Sequence, residues 1–240
     1  DAQESRGLGD VYKRQGLYIR KVWMMRKLFD QELKTLNDKL FSMGALVEKS
    51  IEKAINALIN SNVEEAKKAI EEDDKIDQAK KDIESLCMKL LLTQQPVASD
   101  LRHISSALKM VTDLERIGDH AADISEITIL LSRMEYTSDL DILKRMAVKT
   151  TEMVIRSLEA FSEGNVEKAK EVINDDDIVD ELFLNVKDNV ISIISSNPNK
   201  GGEATDLLMI GKYFERIGDH ATNIAEWAIY SVQGDINVVQ

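Results

Sequence analysis

The chain repeats itself, and that limits its fold more than any other feature. Asn62-Val63-Glu64-Glu65-Ala66-Lys67 returns as Asn165-Val166-Glu167-Lys168-Ala169-Lys170, 103 residues on. Asp113-Leu114-Glu115-Arg116-Ile117-Gly118-Asp119-His120-Ala121 returns as Tyr213-Phe214-Glu215-Arg216-Ile217-Gly218-Asp219-His220-Ala221, 100 residues on. The two offsets differ by three residues, which a loop between the blocks absorbs. The architecture must therefore be one unit built twice.

The unit is helical. Leu33, Leu36, Leu40, Met43, Val47, Ile51, Ala54 and Leu58 hold one face for about seven turns at 3.6 residues each. Asn60-Ser61-Asn62 breaks that run, and a second follows through Ala66, Ala69, Ile76, Ile83, Leu86 and Leu90 to the Gln94-Gln95-Pro96 stop. A third runs from about Ser99, taken as its N-cap, to Leu131. The scheme restarts with helices over roughly 140–161, 166–195 and 203–232, separated by Ser162-Glu163-Gly164-Asn165 and by the loop Asn197-Pro198-Asn199-Lys200-Gly201-Gly202. With two prolines and 5% aromatic residues the chain is poorly suited to a β-sandwich or barrel. The expectation is an all-α protein of two tandem three-helix bundles, one over 25–134 and one over 135–235.

Several classes of function fall away on composition. A net charge of −12 disfavours nucleic acid as a partner. Cys87 is the single cysteine and lies in an apolar helical run, so it reads as a small buried hydrophobe in a reducing compartment. No apolar run approaches the ~18–20 residues needed to span a bilayer. Residues 1–24 carry Arg6, Lys13, Arg14, Arg20 and Lys21 and lack the periodicity that begins at Met25. They are expected to be a non-native or disordered extension, with a basic arm for an acidic membrane surface as the alternative.

The chemistry lies in the acids. On a wheel of ~100° per residue, Glu115, Asp119, Asp123 and Glu126 form a column along one edge of the apolar stripe of Leu114 and Ile117. The sixth helix repeats it with Glu215, Asp219, Asn223 and Glu226. Asp73 and Asp77 flank Ile76 on the second helix, and Asp176 and Asp180 flank Val179 on the fifth. Like charges four residues apart cost a helix ~0.2–0.5 kcal/mol even when exposed. Two such pairs brought together beside a core need protons or cations to compensate. A multivalent cation bridging the helices is the simplest answer, and all-oxygen donors suit magnesium, calcium, manganese or ferric iron. A solvated acidic face, partly neutralised by Arg116, Arg216 and the lysines, is the competing reading. His120 and His220 stand ~100° further round, away from the column, and suit a capping or inter-helix hydrogen bond better than ligation.

At these residues the chain resembles the PhoU family. The likeness includes Met25-Arg26, Phe29-Asp30, Glu32-Leu33, Met43-Gly44, the run Gln94-Gln95-Pro96-Val97-Ala98-Ser99-Asp100-Leu101-Arg102, and both Glu-Arg-Ile-Gly-Asp-His blocks. The resemblance implies multinuclear metal clusters, iron in some members, with manganese, magnesium, calcium or zinc as alternatives. They would sit on Asp73, Asp77, Glu115 and Asp119, and on Asp176, Asp180, Glu215 and Asp219, with Asp123 and Asn223 of the acidic columns as further candidate ligands. It implies a cytoplasmic, non-enzymatic adaptor, homodimeric or larger, reaching the membrane only through partners. Those partners are the ATPase of the phosphate ABC transporter and a phosphate-sensing histidine kinase, both restrained when phosphate is plentiful. Asn223 in place of Asp123 lowers the charge of the second site and suggests weaker metal binding there. Two other readings stand beside this one. A di-metal carboxylate oxidase expects Glu-x-x-His motifs, and neither Glu115 nor Glu215 has a histidine three residues on. A purely structural scaffold would have no use for metal.

Overall fold

The computed structural model describes the backbone over residues 2–93, 96–132 and 140–235, and side chains at residue 20 and over 23–92, 96–132 and 140–235. The elements are α1 (Ala2–Asn60), α2 (Val63–Thr93), α3 (Ala98–Leu131), α4 (Asp141–Glu163), α5 (Val166–Ser196) and α6 (Gly201–Gln233), with a single 3-10 turn at Pro198–Lys200 before α6. The all-α expectation holds, and the described residues contain no strand. Backbone of α1 continues back to Ala2, so no break precedes Met25. Residues 133–139, between α3 and α4, and Gln94-Gln95 of the expected helix stop lie outside the described residues.

The turns follow from local chemistry. Gly164 ends α4 in the left-handed region at φ 62°, and the Asn165 side chain then caps α5 by accepting from the Lys168 amide at 3.0 Å. The same corner of the first repeat places Ser61 at φ 49° and caps α2 with Asn62, which accepts from the Glu65 amide at 3.1 Å. A non-glycine residue there carries backbone strain that the second repeat avoids. The start of α3 corrects the sequence reading. Val97, not Ser99, is the N-cap position, and the Asp100 carboxylate reaches back to accept from the Val97 amide at 3.1 Å. Gly201 and Gly202, expected in a loop, instead form the first turn of α6.

The apolar stripes meet as the periodicity demands. Leu36, Leu40, Met43, Val47, Ile51, Ala54 and Leu58 are all but fully buried, and so are Ala107, Met110, Leu114, Ile117, Ala121 and Ile124 of α3. Leu33 alone of that first stripe stays partly exposed. Each such Leu, Ile, Val or Met side chain contributes about 1.5–3 kcal/mol on burial. α1 packs on α2 and α3, α4 packs on α5 and α6, and α3 lies along α6. The two bundles thus share a single continuous core, with α3 and α6 at its centre.

Candidate functional site

In the first repeat α2 crosses α3 at glycine. A Cβ on Gly118 would stand 2.8 Å from Ile76 Cδ1 and 3.1 Å from Asp73 Oδ1, so only glycine admits this approach without displacement. The crossing brings Asp73 and Asp77 of α2 to Glu115 and Asp119 of α3. Burial is the main cause that lifts the Asp73 carboxyl to about 6, followed by the charges of Asp119, Asp77 and Glu115. Asp119 is raised by burial and by Glu115, against the opposing pull of Arg116. Asp73 Oδ1 and Glu115 Oε2 are buried with no hydrogen-bond partner. Around them, Lys80 Nζ lies 3.0 Å from Glu115 Oε1, and Arg116 reaches Asp119 at 2.9 Å and Glu115 at 3.6 Å.

The second repeat reproduces the crossing. A Cβ on Gly218 would meet Asp176 Oδ1 at 3.0 Å and Val179 Cγ1 at 3.3 Å. Burial again leads in raising Asp176 to about 6, followed by Asp219, Asp180 and Glu215. Asp219 is raised by burial and by Glu215, against Lys212. The Lys212 ammonium pairs with Glu215 on its own helix. Eight of the ten sequence-predicted residues therefore gather as two groups of four, each formed within one repeat.

Asp123 and Asn223 face elsewhere. Asp123 Oδ2 lies 3.4 Å from His120 Nδ1, and the Asn223 amide donates to Asp113 Oδ1 at 3.2 Å across the repeat boundary. His220 Nδ1 lies 2.9 Å from that same Asp113 oxygen. His120 and His220 face each other with ring centres 5.6 Å apart, and Tyr213 lies 5.4 Å from His120. At this seam between α3 and α6 His220 makes the inter-helix hydrogen bond expected of it, whereas His120 bonds Asp123 on its own helix and meets α6 through ring contacts alone. The seam's dependence on Asp113 was missed, although its exchange for Tyr213 is visible where the repeats are aligned.

The donor set suits a hard cation. Carboxylates supply the oxygens, and two of their buried atoms lack any hydrogen-bond partner. A glycine on the facing helix leaves the space beside Asp73 and Asp176 that a Cβ would fill. The carboxylates stand side by side rather than closed around a point. Among the described residues no three His, Cys, Asp or Glu groups converge at metal-bonding spacing. Closure needs rotation of the short carboxylate side chains and withdrawal of the cations now resting on Glu115 and Glu215.

Fold and site together define a class: tandem-duplicated six-helix proteins with an acidic helix crossing in each half. The family model described as PhoU domain matches residues 40–128 and again 143–228. A relative from Clostridium acetobutylicum, named phosphate-specific transport system accessory protein PhoU homolog, is 40% identical over 215 residues, which covers 88% of this chain and 97% of its own. A relative of the same name from Aquifex aeolicus is 38% identical over 210 residues, 88% of this chain and 95% of its own. The crystal structure of PhoU from Pseudomonas aeruginosa superposes with a TM-score of 0.81 at 34% identity, covering 86% of this chain and all of that one. The regulatory protein PhoU from Streptococcus pneumoniae gives 0.79 at 30% identity, covering 86% and 98%. The chain belongs to the PhoU family.

Proposed function

We propose that this protein is a cytoplasmic regulatory adaptor of phosphate transport, without catalytic turnover, whose two carboxylate crossings bind multivalent cations. The observation that carries the reading is the recurrence, within both family-matched spans, of four carboxylates at a glycine-mediated crossing. The names of the curated relatives supply the physiological direction. Asp73, Asp77, Glu115 and Asp119 would hold one cation or cluster, and Asp176, Asp180, Glu215 and Asp219 the other. Asp123 and Asn223 would act from outside, holding the α3–α6 seam. A bound cation supplies the positive charge that offsets the mutual repulsion of the four carboxylates, bracing α2 on α3 and α5 on α6. Iron is the first choice of metal by resemblance, with manganese, magnesium, calcium or zinc behind it.

The partners on this reading are the phosphate transporter's ATPase and the sensor kinase associated with it, and the adaptor restrains both when phosphate is abundant. No helix among the described residues is long and apolar enough to cross a membrane, so contact with a membrane transporter would be through such partners. A strain lacking the protein tests the role directly. Phosphate-uptake genes should be derepressed in phosphate-rich medium, and unchanged repression would contradict the reading. Capture of the transporter ATPase on immobilised full-length protein, with and without chelator, tests whether cation loading matters to the contact.

A further inference from the structure

The two crossings share their carboxylates but not the groups that neutralise them. In the first repeat the ammonium comes from across the crossing. Lys80 on α2 reaches Glu115 on α3 at 3.0 Å, and its side chain is only 23% exposed. At the corresponding place the second repeat has Phe183. There the ammonium comes from Lys212 on α6, whose first-repeat counterpart is Thr112. Lys212 reaches Glu215 along its own helix, sits 5.5 Å over the Phe183 ring and is 38% exposed. The exchange is reciprocal, Lys80 with Thr112 against Phe183 with Lys212. A second difference adds to it. Arg116 holds Asp119 at 2.9 Å, whereas no Arg216–Asp219 ion pair forms among the described residues, and Arg216 instead acts on His120 of α3.

Four carboxylates therefore face two cationic side chains in the first crossing, one of them tied between the helices. In the second, four face one, held at the rim by an aromatic ring. We propose that Lys80 is a tethered counter-cation of the first crossing, so that a multivalent cation fills the second crossing, where Phe183 stands in its place, before the first. This inference rests on the cation-binding reading above. An ammonium about 3 Å from a carboxylate lessens the field that draws an incoming ion and must be displaced for Glu115 to ligate. Partial exposure screens the effect, so its size is roughly tenfold in affinity rather than the far larger value of a dry interior. The order is opposite to that expected from Asn223 in place of Asp123, because Asn223 faces Asp113 at the α3–α6 seam and not the second crossing.

Manganese(II) titration of the full chain after chelator treatment, read from the electron paramagnetic resonance of free manganese, separates the two crossings. Wild type should show two classes of site. Glu215→Gln with Asp219→Asn should remove the tighter class, and Glu115→Gln with Asp119→Asn the weaker. Lys80→Met should tighten the weaker class roughly tenfold, and Phe183→Lys should loosen the tighter one, with circular dichroism confirming unchanged helicity. Two equal classes, a tighter first crossing, or no response to Lys80→Met would overturn the role of Lys80 while leaving cation binding intact. Absence of bound manganese in wild type and in every folded variant would overturn the cation reading itself.

Discussion

At mid-helix α3 and α6 are near copies, while at their N-terminal ends they share almost nothing. Glu115-Arg116-Ile117-Gly118-Asp119-His120-Ala121 and its counterpart at 215–221 are identical, and both glycines admit a neighbouring carboxylate. The α3 end is a junction of the two repeats. Asp100, 5% exposed, accepts from Arg26 Nη1 at 2.6 Å and Nη2 at 3.2 Å while capping α3. His103 lies 2.9 Å from the Asn37 amide oxygen and stacks on Phe161 of the other repeat at 4.3 Å. The α6 end has Lys200, Gly201 and Gly202 at the places of Asp100, Leu101 and Arg102, with open space around both glycines. The contrast teaches what duplication preserves. The crossing is kept because each half needs it, and the ends diverge because only one of them joins the halves.

That contrast can be broken at several points. The largest effect is expected in the shared stripe: Ile117→Ala and Ile217→Ala, both fully buried, should each cost about 2–5 kcal/mol in urea unfolding. Losses differing by more than the spread of that range would argue that the crossings are not equivalent in packing. Next come the ends. Asp100→Ala removes a cap and a two-pronged ion pair and should cost about 2 kcal/mol, discounted because Arg26 is 47% exposed. Lys200→Ala at the equivalent place removes a single 3.9 Å ion pair to Glu203 and should cost about 1 kcal/mol or less. Similar losses at the two would remove the asymmetry.

Smaller effects probe the crossing glycines. Gly118→Ala gains up to ~1 kcal/mol of helix propensity but forces a methyl against Ile76 and Asp73. A net loss of about 1 kcal/mol is expected, with less at Gly218, where the nearest contacts are 3.0 and 3.3 Å. A last probe is the pH dependence of the metal-free protein. Asp73 and Asp176 keep their protons up to about pH 6 in the folded state, while the unfolded chain releases them near 3.8. The folded state thus holds more protons between those values. Stability from these groups is full below about pH 3.8 and is lost as pH rises through about 6. Thermal unfolding should show this decline, and Asp73→Asn and Asp176→Asn should each remove a similar share of it. A rise over the same interval that these variants abolish would reverse the sign assigned to the crossings.

Much of this was legible in the sequence, for physical reasons. Helix count and core stripe follow from a 3.6-residue period that neighbouring helices can only satisfy by packing inward, and Leu36 to Leu58 obey it. The placing of Asp123 and Asn223 was not legible. Each step of four residues drifts ~40° round a helix, so the eight residues from Glu115 to Asp123 drift ~80°. That rotation is enough to leave the α2 side and reach the α3–α6 seam. The N-cap of α3 was misjudged because Ser99 is the better cap by type, whereas Asp100, the third residue of the helix, satisfies the free amide and gains Arg26 as well. The exchange of Lys80 for Phe183 was present in the aligned repeats, but its meaning depends on which helix faces Glu115, and that is a fact of packing.

The central claim is that the carboxylate crossings are cation sites, and metal content tests it most directly. Full-length protein prepared without chelator should carry bound metal by elemental analysis. A variant with Glu115→Gln, Asp119→Asn, Glu215→Gln and Asp219→Asn should carry almost none while keeping its helical circular dichroism. Equal metal in both proteins, or a metal-free wild type that stays metal-free after incubation with iron and manganese, would contradict the account.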